Sequence, residues 1–311
     1  MRFRRSGAEC QRRYLQGTKG KVYVVEFWAT WCGPCIASIP HLSELQNHHR
    51  KDGLTIIGVT SRDPNNSLDD VKQLVTERGD GISYHIAWDT ERKTYTAYMT
   101  AARQRGIPTS FVVDKAGNIA YIGHPMWLDL PVKGAIDGTW DAEKGKAQIA
   151  AAERRLGEMF SKAESDPKAA LVIAAELEKD FPAAMAMFDA ARYGWMLEAG
   201  DPGASAFGRK VMAKAIAEKN ASGLNELAWG LVDPEAGVKN PDLDLAYEAA
   251  TKAVQLSGEK DAAILDTLAR VYFVKGDLAK AIEWQTKAVA QASGPMKAEL
   301  EKVLKEYQSK R

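Results

Sequence analysis

The residues best suited to chemistry are two cysteines separated by two residues, Cys32 and Cys35. Residues 21–29 before them are β-branched and aromatic, which predicts a buried strand, and over 36–45 apolar residues recur every third position, which predicts a helix. Backbone N–H groups at the start of a helix stabilise a thiolate there. With two residues between them, the two cysteines can form a disulfide that closes a small ring. We therefore expect Cys32 to be the attacking thiol and Cys35 the resolving thiol.

Composition excludes several other classes of protein. The chain has 311 residues, 45% hydrophobic and 27% charged, which is enough for about two soluble domains. Its 42 basic and 41 acidic residues leave a net charge of +1, which argues against nucleic-acid binding through bulk positive charge.

No run approaches the roughly 18 apolar residues of a membrane-spanning helix. Three cysteines exclude a disulfide-stapled scaffold, and no second ligand pair accompanies Cys32 and Cys35, so we expect no metal site.

The first 20 residues form a basic arm, with six Arg and Lys residues against Glu9. This arm lacks the apolar stretch and the small-residue cleavage site of a secretory signal. The sequence as it stands therefore predicts a cytoplasmic protein. A signal or anchor missing from this reading frame would instead indicate the periplasm or cell envelope. Cys10, within the arm, is expected to be a free thiol without a role.

Residues 21–124 alternate between strand-like and helix-like segments in the order β-α-β-α-β-α-β-β. Predicted strands after the first lie at 54–59, 84–88, 109–113 and 119–122, and predicted helices begin after Cys35, at Ser67 and at Thr90. Ser67 and Asp70 have the spacing of a capping box, and that helix is predicted to run through Arg78. The order predicts a mixed sheet covered by helices.

From about Asp141 the strand-like runs vanish, and alanine-rich helices alternate with Gly and Pro turns, which predicts stacked helical hairpins. The last hairpin, about 262–294, has a pattern of large and small positions at Leu265, Leu268, Ala269, Tyr272, Gly276, Ala281 and Ala288. With this pattern it resembles a tetratricopeptide repeat. Residues 193–212 are a candidate for a more degenerate copy, and a helical bundle without true repeats is the alternative for 141–220.

The first half of the chain resembles the TlpA/ResA-type thiol-disulfide oxidoreductases of the thioredoxin superfamily, over Val22 to about Pro125. The pieces that carry this resemblance are the strand Val25–Ala29, the motif Trp31–Cys35, Pro40, the loop Gly106–Thr109, the strand Phe111–Asp114 and the turn Gly117-Asn118. Together with the helical pattern, the resemblance predicts a basic arm (1–20), an α/β thioredoxin-like domain with a mixed central sheet flanked by helices (21–140), and an all-α domain of tetratricopeptide-like hairpins (141–311).

The resemblance also implies roles for single residues. Glu26 corresponds to a buried acid beneath the disulfide that shuttles a proton to the resolving cysteine and suits a general base. The family usually has Asp there, and the lysine that often accompanies it is Gly58 or a neighbour here. The alternative for Glu26 is a structural carboxylate held by backbone donors. Pro108 corresponds to a cis-proline beside the disulfide, where Ile107 would pair with an extended substrate. The implied substrate-docking residues are Trp31, Gly33, Pro34, Ile107 and Thr109.

Three further side chains near the motif have less specific expectations. Trp28 is expected in the core, Trp31 is expected to lie partly in the core and partly on the docking surface, and His124 is expected to be a loop residue.

The resemblance implies an enzyme that reduces protein disulfides with electrons from an unidentified dithiol donor. Cys32 and Cys35 would form its redox-active disulfide, and no bound cofactor is expected. The Gly-Pro pair between the cysteines is typical of the reducing members of the family. Helical repeats over about 183–293 are expected to recruit a partner or substrate. The alternatives are an adaptor protein whose thioredoxin-like domain only docks, and peroxide reduction, for which Thr30 is a weak indication.

Overall fold

The computed structural model describes residues 20–310. Its five strands are β1 (Tyr23–Phe27), β2 (Thr55–Thr60), β3 (His85–Trp88), β4 (Thr109–Val113) and β5 (Ile119–Gly123). They form one sheet in the order β3-β2-β1-β4-β5, with β1, β2 and β3 parallel and with β4 antiparallel to both β1 and β5. The predicted order of elements is confirmed, and each strand lies within about two residues of its predicted bounds.

Strand β1 occupies the centre of the sheet, and all five of its residues are buried. A strand that is covered on both faces is expected to be almost continuously apolar, and Glu26 is the one charged residue in it. Because side chains alternate along a strand, Val25 and Phe27 lie on one face, in a cluster with Phe111. Glu26 therefore lies on the opposite face.

Four helices accompany the sheet in the first part of the chain: α1 (Gly33–His48), α2 (Leu68–Arg78), α3 (Lys93–Tyr95) and α4 (Asp129–Asp137). The predicted capping box at the start of α2 is confirmed, because Ser67 and Asp70 bond to each other's backbone N–H groups. Pro40 lies inside α1.

The helix predicted from Thr90 to Gln104 is shorter than expected. Only α3 is α-helical there, and a π-helical turn, Thr96–Thr100, follows it. Arg92, directly before α3, has a left-handed backbone with φ 53°, so the helix cannot begin at Thr90. Arg103, with φ 55°, ends the segment.

The rest of the described chain is helical. Its helices are α5 (Ala142–Ala163), α6 (Pro167–Asp180), α7 (Pro182–Ala186), α8 (Asp189–Ala199), α9 (Ala204–Ala217), α10 (Ala221–Val232), α11 (Leu243–Ser257), α12 (Ala262–Val274), α13 (Leu278–Gln291) and α14 (Gly294–Ser309). No helix among residues 20–310 is long and apolar enough to cross a membrane.

Contacts divide the described chain into two compact units. The first holds the residues up to Gly157 together with Ala175–Met187, and the second holds Glu158–Ala174 and the residues from Phe188 onward. The predicted boundary at 140 falls just before α5, which contributes residues to both units.

Small residues line the helix contacts of the second unit. In α11 the fully buried positions include Ala246, Ala249 and Ala253, and in α13 they include Ala281 and Ala288. Alanine at such positions allows two helices to approach closely, while larger apolar residues fill the groove between them. The hairpin predicted at about 262–294 is present as the pair α12 and α13.

Candidate active site

Cys32 is the N-cap residue of α1, and Cys35 lies in the first helical turn. The backbone N–H of Cys35 donates a hydrogen bond to Cys32 Sγ at 3.3 Å. Pro34 occupies the first turn, where a missing N–H leaves no helical hydrogen bond unmade. Both cysteines are buried, and their sulfurs are joined in a disulfide bond. The local sequence thus places Cys32 where a helix start can stabilise a thiolate.

No acidic residue lies in the first turn of α1. An acidic side chain there would repel a thiolate on Cys32 and raise its pKa, so the helix dipole acts on this sulfur without opposition from its own turn. The exposed residues Gly33 and Pro34 lie between the two cysteines. The arrangement therefore suits attack by Cys32 on an external disulfide.

Glu26 is 1% exposed, and its Oε1 has no hydrogen-bond partner among the described residues. Burial raises the pKa of Glu26 to about 8, since an ionised carboxylate loses its hydration inside the protein. A carboxyl group with that pKa can exchange a proton with a thiol near neutral pH. This environment also argues against the structural alternative, in which backbone donors would hold an ionised carboxylate.

The residue opposite Glu26 on β2 is Gly58, so no lysine faces the carboxyl group from that position. A Cβ atom added to Gly58 would lie 3.1 Å from Trp28 Nε1 and 3.1 Å from Tyr84 Cε2. Such contacts are too close for a larger side chain without movement of the two rings. The buried aromatic neighbours thus explain why the carboxyl group has no cation here.

The expected cis peptide bond between Ile107 and Pro108 is present. Thr109 begins β4 and pairs with Phe27, the last residue of β1, so the sheet brings this loop to the end of β1 that leads to the cysteines. Ile107 is half-buried, whereas Thr109 is buried and its hydroxyl donates to the Gly106 carbonyl at 2.8 Å. Thr109 therefore stabilises the loop from within and does not present its side chain to a partner.

The two tryptophans near the motif have different environments. Trp28 is buried, as expected. Trp31 is 55% exposed, and the rest of its surface is covered by neighbouring residues. Its indole Nε1 donates to both carboxylate oxygens of Asp63, at 3.0 and 3.1 Å, and this contact holds the ring on the surface beside Cys32.

Sequence reasoning missed Asn66, which holds the turn before the cysteines. It is 1% exposed, and its Oδ1 accepts hydrogen bonds from Thr30 N at 2.9 Å and from Thr30 Oγ1 at 2.8 Å. Its Nδ2 donates to Thr60 Oγ1 at 3.0 Å and to the Ser61 carbonyl at 2.7 Å. An asparagine in a polar loop gives no sequence signal of this role.

His124 follows β5 and caps a short 3₁₀ turn, Pro125–Trp127, where its Nδ1 accepts from Met126 N at 3.2 Å. Burial, and secondarily the nearby His41, lower the pKa of His124. The neutral ring is therefore used in capping, which agrees with the expected loop role.

We predict that Asn66→Ala destabilises the protein by about 2–4 kcal/mol, because it removes four hydrogen bonds and leaves polar groups of the half-buried Thr30 and the buried Thr60 unpaired. Urea unfolding measures this change. The matched control is the exposed neighbour, Asn65→Ala, which should change stability by less than about 0.5 kcal/mol. Equal effects of the two substitutions would contradict the anchoring role.

Comparisons with known proteins agree with this geometry. Residues 7–126 match the Redoxin family. The chain is 31% identical over 137 residues to Protein FixW of Rhizobium leguminosarum, covering 42% of this chain and 60% of that protein. It is 29% identical over 108 residues to the thiol-disulfide oxidoreductase ResA of Geobacillus kaustophilus, covering 35% of this chain and 57% of that protein.

The chain is also similar to a solved structure from Chlorobium tepidum TLS, described as a thiol:disulfide interchange protein, thioredoxin family protein. The two are 31% identical, the match covers 39% of this chain and 83% of the other, and the TM-score is 0.34. The chain spans about 60% of the length of the curated relatives it matches. The Redoxin match, the similarity to thiol-disulfide oxidoreductases, the mixed sheet and the disulfide all agree with a thioredoxin-like fold for this part of the chain.

Proposed function

We propose that this protein is a thiol-disulfide oxidoreductase that reduces disulfide bonds in other proteins. The observation that carries the proposal is the position of Cys32 at the N-cap of α1, with the Cys35 N–H directed at its sulfur. A helix start that stabilises a thiolate gives the thiol the reactivity that disulfide exchange needs. The similarity to proteins named as thiol-disulfide oxidoreductases supports the same activity.

The reaction begins from the dithiol form. The Cys32 thiolate attacks one sulfur of the substrate disulfide, so that a mixed disulfide forms and one substrate thiolate leaves. The Cys35 thiolate then attacks Cys32 Sγ, which releases the second substrate thiolate and forms the Cys32–Cys35 disulfide. Two electrons pass to the substrate, and an external dithiol must return them in the next cycle. The chemistry needs no bound cofactor.

Glu26 is proposed to accept the proton of Cys35 before the second step. A thiol attacks only after it has lost its proton, and a carboxyl group whose pKa is about 8 has nearly the same proton affinity as an ordinary thiol. Trp31, Gly33, Pro34 and Ile107 are proposed to contact the substrate, with Pro108 and Thr109 holding the loop. The exposed indole and the exposed Gly-Pro pair beside Cys32 support this docking surface.

The two cysteines should differ in their substitution phenotypes. Cys32→Ser should abolish dithiol-dependent reduction of insulin, because the attacking thiol is lost. Cys35→Ser should instead accumulate a mixed disulfide between Cys32 and the substrate, because the resolving thiol is lost. Turnover by the Cys35→Ser variant, or activity without Cys32, would contradict the assigned roles. Turbidity of reduced insulin and non-reducing gels measure the two outcomes.

We predict that Glu26→Gln stabilises the oxidised protein at pH 8 but not at pH 4. The folded protein retains the Glu26 proton up to a pKa of about 8, whereas the unfolded chain releases it near the ordinary value of 4.5. The contribution of protonated Glu26 to the free energy of unfolding is therefore fully present below pH 4.5. It is lost as the pH rises to 8, and the free energy of unfolding falls by about 1.4 kcal/mol per pH unit at most. Because Glu26→Gln has no titrating carboxyl group at this position, it does not lose stability in this way as the pH rises.

Urea unfolding at pH 4, 6 and 8 measures the difference. The control is Glu44→Gln, an exposed carboxyl on α1, which should keep the pH dependence of the unmodified protein. Insulin turnover by Glu26→Gln should be slower and lose the pH dependence that the carboxyl group provides. If both the stability and the turnover profiles were unchanged, Glu26 would not be the proton acceptor.

The second compact unit is proposed to recruit protein partners to the redox site through its tetratricopeptide-like hairpins. Within it, helices α8 to α10 and the loop that follows line a cavity of ≈ 420 Å³. Leu197 and Leu227 supply apolar surface to this cavity, and Glu198 and Glu226 supply carboxylates. Grooves of this kind between stacked helices suit an extended segment of another chain. The alternative, an adaptor without redox activity, does not need the cysteine pair.

A chain that ends at Met187 tests recruitment, because it retains every residue of the first compact unit. We predict that its insulin turnover stays near that of the full chain, since insulin needs only the redox site. Partners trapped in vivo by Cys35→Ser should be lost or changed in the shortened chain. An identical set of trapped partners from both chains would contradict recruitment by the second unit.

A further inference from the structure

We propose that Arg92 and Arg105 select protein substrates that carry an acidic side chain close to the disulfide to be reduced. This inference rests on the proposed function and adds a substrate class to it. It concerns a groove of ≈ 330 Å³ in the first unit, which is lined by Trp31 on one side of the redox motif and by Ile107 from the cis-proline loop. Trp31 directly precedes Cys32, and Ile107 directly precedes Pro108, in the sequence.

The arginines line this groove with their cationic groups available. Both side chains are exposed, and neither guanidinium forms a hydrogen bond or an ion pair with a residue between 20 and 310. The Arg92 guanidinium carbon lies 4.1 Å from the centre of the Tyr95 ring. Stacking on the ring uses the face of the guanidinium and leaves its in-plane N–H donors for a carboxylate.

The two carboxylates that line the same groove already have donors from within the fold. Asp63 accepts from Trp31 Nε1 and from the N–H of Asn65, the latter at 2.8 Å. Asp89 is buried, and its Oδ2 accepts from the N–H of Tyr95 at 2.9 Å. The cationic groups that line the groove are therefore those of the two arginines.

An extended segment of a substrate protein suits this groove. The segment must lie across Trp31 and Ile107 when its cysteine reaches Cys32, which brings neighbouring side chains to the arginines. A carboxylate forms charge-assisted and bidentate hydrogen bonds with guanidinium groups, whereas a lysine at the same place is repelled. Charge complementarity therefore favours substrates with Asp or Glu near the disulfide.

The test uses three synthetic peptides, each with one internal disulfide and identical except for Glu, Gln or Lys on both sides of the attacked cysteine. Reduction is measured with the full-length protein and with Arg92→Gln, Arg105→Gln and the double variant. The control is Arg103→Gln, because Arg103 is exposed, does not line the groove and shares the left-handed backbone of Arg92.

We expect kcat/KM to fall in the order Glu, Gln, Lys. In the double variant, kcat/KM for the Glu peptide should be about tenfold lower than in the unmodified protein, because two ion pairs at the protein surface are lost. The kcat/KM for the Gln peptide should stay within about twofold of the unmodified value. The Arg103→Gln variant should match the unmodified protein, and added salt should reduce the preference for Glu.

Two results would overturn the inference while leaving the proposed function intact. One is equal reduction of the Glu and Gln peptides by the unmodified protein. The other is an equal loss for all three peptides in the arginine variants, which would indicate an effect on folding or chemistry. If the unmodified protein reduced none of the peptides and no insulin, the proposed function itself would fail, and the inference with it.

Discussion

The hydrogen bond from the Cys35 N–H to Cys32 Sγ is the interaction on which the account of this protein depends. It exists because β1 ends just before the motif and α1 begins at Gly33, so that Cys32 becomes the N-cap of a helix. The same N–H can stabilise a thiolate after the disulfide is reduced. The turn that sets this geometry is held in place by Asn66, from the loop that follows β2.

The sheet supports the site in a second way, through Glu26. Strand β1 is buried on both faces, so a carboxyl group there loses its hydration, and the pKa of Glu26 rises to about 8. Packing of Trp28 and Tyr84 around Gly58 leaves no room for a compensating cation on the neighbouring strand. The protein thus carries a group that destabilises the folded state above pH 4.5 and that is proposed to accept the proton of Cys35.

The strands and the cysteine pair could be predicted from sequence because short local patterns encode them, whereas the expectations for Glu26 and Pro108 came from the resemblance to a known family. Contacts between distant segments could not. Asn66 lies 36 residues from Thr30, and nothing in its neighbours' composition indicates the pairing. The exposure of Trp31 follows from a hydrogen bond to Asp63, 32 residues away. The groove with Arg92 likewise depends on which loops the sheet order brings together.

The most direct test of this account is the pH dependence of alkylation of the reduced protein, with the site of modification identified by mass spectrometry. The account predicts that Cys32 reacts first and that its apparent pKa lies well below the ordinary thiol value of about 8.5. Cys35 should react only at higher pH. Modification of Cys35 before Cys32, or a Cys32 that titrates like a free thiol, would contradict the central role of the helix start.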